Sequence, residues 1–421
     1  MGLPLLPNGP ARCRAGVAFR RMTYKRELQE KIEEFFLTVV LGEHPRKGDG
    51  FQTRALLAIL KQMSFLYRAV VQVRLFLYLK GILRHHTLGC QVISIGNLTV
   101  GGTGKTPVVE IFARRLQQAG RRVAILSRGY KKSEPSFAEK TLDLLLLRDK
   151  RRPPRIVSDG KTLLLDSTMG GDEPYMLASH LPDVTVLVDK DRVKSGQYAV
   201  NKQERDTLIL DDGFQYLELK HRVDIVLVDR LNPFGNGHVL PRGILREPIG
   251  NIRRADVIFI TKCDGAAGAK ELKAKLRSLN ARAEIIECAH RARYLQDVFS
   301  AERLELGRLK DLPVTAMTGI AAPDGFDNEL EKRGAKIVHR ERFADHHIYT
   351  QQQLIEVINR SRAAGAVAVV TTEKDAVRFP WMERMRIPIY FMGVDIELLS
   401  GTENFDECIS RICFARSEKA N

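Results

Sequence analysis

The chain has few cysteines, and their spacing excludes two common kinds of site. The 421 residues include 6 cysteines, which are scattered and form no C-x-x-C pair. A zinc site or a disulfide framework needs closely grouped cysteines, so reduced thiols are predicted instead. Stability must then come from a hydrophobic core, for which 44% hydrophobic residues are sufficient. A chain of this length predicts two domains.

Long uncharged apolar runs are also absent, which argues against a membrane-spanning helix. Residues 51–84 are strongly apolar, but Lys and Arg side chains interrupt them and no acidic residue occurs. A spanning helix needs about 18 to 20 apolar residues. The segment fits a helix lying in a membrane interface, with its cations at lipid phosphates and its apolar side in the acyl boundary. The alternative is a core helix packed on the next domain.

Acidic residues are missing from residues 1–26, although arginine and lysine are frequent there. The stretch also lacks the apolar core of a secretory signal. An arginine-rich, acid-free start is typical of an organellar transit peptide, which is removed from the mature protein. The alternative is an unstructured basic arm, or an upstream start with Met22 as the working initiator.

The whole chain is short of negative charge and carries a net charge of +16. Such an excess predicts an anionic partner, namely nucleic acid, an acidic lipid or a phosphorylated substrate. No base-stacking motif or recognised nucleic-acid module occurs. A non-enzymatic nucleic-acid-binding or membrane-binding protein is therefore one hypothesis, but nucleic acid is not predicted as a partner. No obligate protein partner is inferred.

The strongest single motif is a strand, a glycine-rich turn and a helix start in residues 92–106. The run from Val92 to Ile95 is typical of a buried strand, and Lys105-Thr106-Pro107 opens a helical stretch. This order predicts a P-loop, whose glycine backbone lets successive N–H groups converge on phosphate oxygens. Thr99 departs from the common pattern, which has glycine there. The predicted nucleotide-binding residues are Thr99, Val100, Gly101, Gly102, Thr103, Gly104, Lys105 and Thr106.

Two more strand-end motifs follow. The apolar run from Thr207 to Leu210 ends in the paired carboxylates Asp211 and Asp212. An acid at a strand end is where a Walker-B group holds Mg²⁺ opposite the P-loop threonine. Residues 256–264 predict a strand that ends in Thr261-Lys262-Cys263-Asp264. This T-K-x-D sequence resembles the guanine-reading motif of GTPases, so a P-loop GTPase or metallochaperone is a further hypothesis.

Strand-like and helix-like runs alternate from the P-loop to Phe391, with a charged, proline-containing insertion at 131–160. The alternation predicts an α/β fold of the P-loop NTPase type, with a mainly parallel sheet and helices on both faces. A second, smaller α/β domain and an N-terminal amphipathic helix complete the prediction. The predicted segments are a basic leader and linker (1–50), an interfacial helix (51–90), a P-loop domain (91–255) and a C-terminal domain (256–421).

Seven short motifs occur in a fixed order along the chain, and they are Ser94 to Pro107, Ser127 to Tyr130, Gly171 to Pro174, Asp211 to Gln215, Leu240 to Pro248, Phe343 to His347 and Thr372 to Asp375. As a set they resemble the tetraacyldisaccharide 4′-kinase family, the lipid A kinases. The resemblance covers residues 55–400. The loop of that family also lacks the first glycine, which accounts for Thr99.

The resemblance implies roles for the matched positions. Lys105 and Thr106 are implied to contact the nucleotide phosphates and Mg²⁺. Asp172 and His346 are implied to form a dyad that activates a sugar hydroxyl, which is a poor nucleophile and benefits from a positioned base. The remaining implied metal-site residues are Asp211, Asp212, Gln215 and Glu247.

The resemblance also implies an activity, which is ATP-dependent phosphorylation of the 4′-hydroxyl of a tetraacyldisaccharide 1-phosphate to give lipid IVA. ATP and Mg²⁺ are the implied cofactors. Arg128 and Arg192 are candidates to bind substrate and to neutralise charge during phosphoryl transfer. The implied partners are the acylated disaccharide lipid and an anionic membrane surface, which favours the interfacial interpretation of residues 51–84.

A lipid enzyme of bacterial type behind a transit-like leader indicates a eukaryotic organellar member of the family, of plant type. The predicted location is mitochondrial and peripheral to the membrane. The alternatives are a plastid and the cytoplasmic face of a bacterial inner membrane. The length of segment 131–160 and the basic N-terminal extension both depart from the bacterial pattern.

Overall fold

A computed structural model describes residues 51–129, 152–265, 269–320, 323–383 and 385–413. The predicted leader (1–50) and residues 131–151 of the predicted insertion lie outside this part of the chain, as does Tyr130. Its α-helices are α1 (Phe51–Leu79), α2 (Lys105–Gln118), α3 (Ser167–Gly170), α4 (Asp172–His180), α5 (Arg192–Gln203), α6 (Lys270–Leu279), α7 (Pro323–Lys332), α8 (Gln351–Ala363), α9 (Glu373–Ala376) and α10 (Thr402–Cys413). Short 3₁₀ helices span Ile249–Arg254 and Leu306–Leu309.

The strands of the described residues form one sheet. They are β1 (Gln91–Asn97), β2 (Val123–Ser127), β3 (Arg155–Ser158), β4 (Thr185–Val188), β5 (Thr207–Asp211), β6 (Val223–Asp229), β7 (Val257–Thr261), β8 (Glu284–Asp297), β9 (Arg303–Glu305), β10 (Pro313–Thr318), β11 (Lys336–Arg342), β12 (Ala368–Thr372) and β13 (Ile389–Ser400). Their order across the sheet is β11-β10-β12-β13-β8-β7-β6-β1-β5-β2-β4-β3, and β9 pairs with β8.

Most neighbouring strands are parallel, which confirms the predicted fold class. The antiparallel pairs are β3 with β4, β8 with β13 and β8 with β9. The strands at the centre are buried on both faces, so their sequences are continuous apolar runs rather than alternating ones. Ile93 belongs to a core cluster with Phe112 and Leu116 of α2, whereas Val92 belongs to another cluster with Val193 and Ala199 of α5. Helices therefore cover both faces of the sheet, as predicted.

The structure adds strands to stretches where the sequence did not predict them. Residues Arg155–Ser158, inside the predicted irregular insertion, form β3 and pair with β4. β8 is a strand of 14 residues whose second half is only partly buried. Its pattern is interrupted by polar residues, and it is held by a long antiparallel pairing with β13. Such pairing depends on a partner strand far away in the chain, which local periodicity cannot reveal.

The chain divides into two compact units. Among the described residues, one contains 51–73 and 234–249, and the other contains 74–233 and 250–413. In the first unit, Ser64 of α1 donates a hydrogen bond to the Val239 carbonyl at 2.8 Å and accepts one from the Arg242 amide at 2.9 Å. The predicted domain boundary between residues 255 and 256 stays a prediction.

Helix α1 exposes much of its apolar surface. Leu60 and Ser64 are buried, but many large apolar side chains are more than half exposed, namely Phe51, Ile59, Met63, Phe65, Leu66, Val70, Val73, Phe76 and Leu79. By length and composition alone, Thr53–Leu79 is suited to cross a membrane, with a mean hydropathy of 1.3 in a window that is 17% buried. The basic residues of α1 are Arg54, Lys61, Arg68 and Arg74, and the helix contains no acidic residue.

Candidate active site

The carboxyl ends of the parallel strands bring the predicted site residues to one edge of the sheet. The strands β1, β2, β5, β6 and β7 end at Asn97, Ser127, Asp211, Asp229 and Thr261. In the sheet register, Ile95 of β1 lies beside Asp211 of β5. Because parallel strands run in one direction, the loops that follow them meet at the same edge, where α/β proteins bind ligands.

The P-loop lies between β1 and α2. Gly104 precedes the helix and has a left-handed backbone with a φ of 78°. The Lys105 ammonium lies 3.2 Å from a carboxylate oxygen of Asp212 and 3.4 Å from Oδ1 of Asn97. Asn97 also donates to the Thr103 hydroxyl at 3.1 Å. The helix N-terminus and the lysine favour an anion here, so the geometry can hold a phosphate.

Two residues of the T-K-x-D sequence, Thr261 and Lys262, hydrogen-bond to carbonyl groups of the P-loop. The Thr261 hydroxyl donates to the Thr103 carbonyl at 2.9 Å. The Lys262 ammonium donates to the Gly102 carbonyl at 3.1 Å and to Asp229 at 2.6 Å. These bonds hold the carbonyls of Gly102 and Thr103 on the side of β7. The residues proposed as a guanine reader therefore have a structural role in the loop.

His290 of β8 fills the space next to Gly104. A Cβ at Gly104 would overlap the His290 ring, so a side chain does not fit there. Burial lowers the pKa of His290 to about 4, and the charge of Lys262 contributes to the shift. The imidazole is therefore neutral at physiological pH, although a backbone hydrogen bond with Gly104 opposes the shift. His290 was not predicted from the sequence, because β8 carries no recognisable motif.

Asp211 is a buried carboxylate at the end of β5. It is 4% exposed, and its Oδ2 accepts a hydrogen bond from Ser127 at 3.0 Å. Burial raises the pKa of Asp211 to about 6, and the negative charges of Glu173 and Asp212 add to this effect, whereas Lys105 opposes it. A cation placed here would offset the cost of burying the carboxylate.

Gln215 offers a further oxygen of the kind that a magnesium ion binds. Gln215 donates to the Asn97 carbonyl at 3.0 Å, and its buried Oε1 has no hydrogen-bond partner in the described part of the chain. Mg²⁺ prefers carboxylate, amide and hydroxyl oxygens. No group of three or more His, Cys, Asp or Glu side chains among the described residues is arranged as a metal site. The fit therefore rests on a mixed set of oxygens rather than on a carboxylate cluster.

The remaining predicted residues lie in different surroundings. Thr106 is the second residue of α2 and is half-buried, and Arg128 is exposed just after β2. Arg192 is 5% exposed at the start of α5, with its guanidinium 4.8 Å from the Tyr216 ring. Burial lowers the pKa of Arg192, which also senses the charges of Arg128, Asp212 and Asp211. Glu247 is buried in the first compact unit.

The structure brings Asp172 and His346 together, although they are 174 residues apart in the chain. Asp172 is the first residue of α4, and His346 has a left-handed φ of 61° in the turn after β11. Nδ1 of His346 lies 3.2 Å from Oδ2 of Asp172. Glu173, which follows Asp172 in the chain, raises the pKa of Asp211 through its negative charge. The residue after Asp172 is therefore close enough to Asp211 to affect it electrostatically.

Arg378 is a member of this site that the sequence analysis missed. Its Nε donates to Oδ2 of Asp172 at 2.7 Å, and its Nη2 lies 3.3 Å from Nδ1 of His346. The only available signal was its position three residues after the Thr372 to Asp375 motif. Arginine near a motif is common, so the sequence had no means to place it on the pair.

The chain is similar to known proteins in both sequence and structure. The family model described as tetraacyldisaccharide-1-P 4′-kinase matches residues 56–413. The chain belongs to this family. A tetraacyldisaccharide 4′-kinase from Anaeromyxobacter dehalogenans (strain 2CP-C) is 40% identical over 352 residues, or 82% of this chain and 87% of that protein. The one from Halothermothrix orenii is 32% identical over 400 residues, or 91% of this chain and 99% of that protein.

Solved structures agree with the sequence relatives. A crystal structure described as the apo form of LpxK from Aquifex aeolicus in complex with ATP has a TM-score of 0.65 and 29% identity. The match covers 85% of this chain and all of that one. The predicted membership of the tetraacyldisaccharide 4′-kinase family is confirmed, and it is favoured over the GTPase or metallochaperone alternative. This agrees with the structural role of Thr261 and Lys262 at the P-loop.

Proposed function

We propose that this family member transfers the γ-phosphoryl group of ATP to the 4′-hydroxyl of a tetraacylated glucosamine disaccharide 1-phosphate, giving lipid IVA. The observation that carries the proposal is a carboxylate–imidazole pair at the same sheet edge as the P-loop and the buried Asp211. A nucleotide hydrolase needs only a positioned water, whereas transfer to an alcohol is favoured by a base aimed at the acceptor hydroxyl. The names of the relatives supply the acceptor.

The nucleotide phosphates bind to Lys105 and to the backbone N–H groups of residues 99–106. Asp212 keeps the Lys105 ammonium in place at 3.2 Å, so the charge is positioned before the nucleotide arrives. Mg²⁺, when bound, supplies neutralisation of the charge on the transferred group. The residues of the second compact unit that would hold it are Thr106, Asp211, Asp212 and Gln215, and the role of Glu247 stays a prediction from the family resemblance.

The acceptor hydroxyl loses its proton to His346. The Nδ1–H of the neutral imidazole donates to Asp172 at 3.2 Å, which places the basic lone pair on Nε2. The Asp172 carboxylate then balances the imidazolium that forms. Arg128 and Arg192 provide further positive charge for the phosphates of the two substrates.

Helix α1 holds the enzyme on an anionic membrane surface, where its lipid substrate resides. Its exposed apolar side chains enter the acyl boundary, and its Arg and Lys side chains reach lipid phosphates. Replacement of Phe65, Leu66 and Val70 by serine should reduce sedimentation with anionic vesicles. Serine at Val338 and Val367, which are exposed elsewhere, serves as the matched control. Equal sedimentation of both variants would contradict this role for α1.

The leader in residues 1–26 directs the protein to mitochondria, where it acts at the membrane surface. Its support is the run of basic residues without an acid. A fusion of residues 1–50 to a fluorescent protein tests this in plant cells, with the Arg and Lys residues changed to glutamine as the control. Fluorescence in plastids, or equal localisation of both fusions, would contradict it.

The activity is tested by incubating the protein with Mg-ATP and the tetraacylated disaccharide 1-phosphate, then weighing the lipid by mass spectrometry. We expect the lipid to gain the mass of one phosphoryl group, at the 4′-position. Lipid that already carries a 4′-phosphate is the acceptor control, and Lys105→Ala is the enzyme control. No mass gain with the wild-type protein, or faster reaction with GTP than with ATP, would contradict the proposal.

A further inference from the structure

Arg378 links both members of the Asp172–His346 pair to the interior of the protein. Its side chain is 3% exposed. Besides the bond from Nε to Asp172 at 2.7 Å, Nη1 donates to the Gly319 carbonyl at 3.3 Å and to Asp375 at 3.2 Å. Nη2 lies 3.3 Å from Nδ1 of His346. A single guanidinium therefore lies against both the carboxylate and the imidazole. Because the Nδ1 proton of His346 is the one given to Asp172, Nη2 does not also donate to Nδ1, and Arg378 acts on the imidazole through Asp172.

The charge of Arg378 keeps Asp172 in the form that the pair requires. Burial alone would raise the pKa of Asp172, but the hydrogen bond from His346 and the charge and hydrogen bond of Arg378 lower it. The carboxylate stays ionised, so it can accept the Nδ1–H of His346 and balance an imidazolium. A carboxylate with a lowered pKa is itself a weak base, which leaves His346 as the proton acceptor.

A second carboxylate fixes Arg378 in turn. Asp375 is fully buried and accepts hydrogen bonds from the Gly319 amide at 3.1 Å and from the Tyr349 hydroxyl at 3.0 Å. The Gly319 carbonyl accepts from Arg378 and also from the backbone N–H of His346 at 3.3 Å. The Gly319 carbonyl thus holds both the guanidinium of Arg378 and the backbone that carries the His346 imidazole.

The need for such a link follows from the chain topology. Asp172 starts α4 and His346 follows β11, so no local backbone constraint sets the distance between them. A planar guanidinium has several donors in a rigid arrangement and can fix two groups at once. Lysine offers a point charge and lacks this geometry.

We propose that Arg378 is a positioning residue for phosphoryl transfer, which fixes the ionised Asp172 against His346 so that the imidazole can take the acceptor proton. The inference rests on the proposed kinase activity and deepens it. Arg378 acts through Asp172 and takes no part in the proton transfer. A purely structural arginine would affect stability, but it would leave kcat of the folded enzyme unchanged.

The test compares Arg378→Met and Arg378→Lys with a matched control, Arg342→Met. Arg342 lies on β11 and donates to Asp324 at 2.7 Å and to Asp327 at 2.9 Å. Displacement of a catalytic group by about 1 Å costs about 100-fold, so Arg378→Met should lower kcat by about that factor while KM for ATP changes by less than about threefold. Arg378→Lys should recover about tenfold of the loss, because it restores the charge without the planar fork. Arg342→Met should keep kcat close to wild type.

A double-variant cycle separates positioning from a general loss of order. In the Asp172→Ala chain, adding Arg378→Met should change kcat by less than about twofold, because the arginine acts through the missing carboxylate. A multiplicative loss would overturn the inference, as would a folded Arg378→Met or Arg378→Lys enzyme with wild-type kcat. The lysine variant decides the question if the methionine variant does not fold. An inactive wild-type enzyme would refute the proposed function itself, whereas an active wild type with equally active Arg378 variants refutes only the inference.

Discussion

His180 is predicted to carry a positive charge at neutral pH and to hold together two helices of the site. Its Nδ1 lies 3.0 Å from Glu110 on α2, and its Nε2 lies 2.5 Å from Glu373 at the start of α9. Helix α2 begins with Lys105, and α4, which ends at His180, begins with Asp172. The charge of one imidazolium therefore joins the nucleotide-binding helix to the helix of the proposed dyad.

The size of the effect follows from the pKa of His180. Burial alone would lower this pKa, but the hydrogen bonds and charges of Glu110 and Glu373 raise it from 6.5 to about 10. Because the folded state binds the proton more tightly, the stabilisation is complete below pH 6.5 and is lost as the pH rises through 10. At about 1.4 kcal/mol per pKa unit, it amounts to roughly 4 kcal/mol at pH 7 and under about 1 kcal/mol at pH 10. The side chain is 23% exposed, so solvent screening makes these figures upper values.

The assay is urea-induced unfolding of the wild type and of His180→Gln at pH 7 and pH 10. Glutamine keeps polar contacts but cannot carry the charge. The wild type should be more stable by roughly 2 to 4 kcal/mol at pH 7, and the difference should fall below about 1 kcal/mol at pH 10. Groups that titrate in both chains cancel in this difference. His339→Gln is the control, because His339 pairs with Glu341 at 3.0 Å and is 31% exposed; it should cost about 1 kcal/mol or less.

The refuting result is a stability difference between wild type and His180→Gln that is equal at pH 7 and pH 10. It would show that the contacts of the ring stabilise the protein while its charge does not. Unchanged stability at pH 7 would equally refute the bridge, because two partly buried glutamates would then have lost the imidazolium at no cost.

The other predictions concern the catalytic groups. Lys105→Ala should lower kcat at least about 1,000-fold. Lys105→Arg should not restore kcat, because a broad guanidinium does not replace a compact ammonium in a tight loop. A kcat within about tenfold of wild type in either variant would argue against the P-loop assignment. Asp172→Ala and His346→Ala should each reduce kcat with little change in nucleotide affinity, and the double variant should be hardly worse than the poorer single one; multiplicative losses would mean that the two residues act separately. Gly104→Ala should weaken ATP binding measured by calorimetry, since its Cβ would overlap the His290 ring and its φ is 78°; unchanged affinity would contradict this.

Local sequence was sufficient to predict the parts of the fold that depend on neighbouring residues. The apolar run before Asp211 and the glycine-rich turn before Lys105 are short-range patterns, and the structure has a strand and a helix start there. The parallel sheet followed from alternation of such runs. The long strand β8 was not predicted, because its outer half is partly exposed and depends on pairing with β13.

Long-range contacts explain what the sequence analysis missed at the site. His290 was not a candidate because its role depends on lying against Gly104. Lys262 was assigned to guanine by resemblance, yet its ammonium donates to the Gly102 carbonyl. Neither contact leaves a local signature, since each joins residues that are far apart in the chain.

By itself the sequence determined the P-loop, the strand-end carboxylates and the family, because each depends on residue types at short spacings that chemistry restricts narrowly. The resemblance implied the pairing of Asp172 with His346, but only the tertiary structure shows their contact and places Arg378 against both. The distances among these three side chains depend on how α4, the turn after β11 and the segment after α9 pack around one sheet. A buried guanidinium must find acceptors within hydrogen-bond reach wherever the fold supplies them, and this requirement acts in space rather than along the chain.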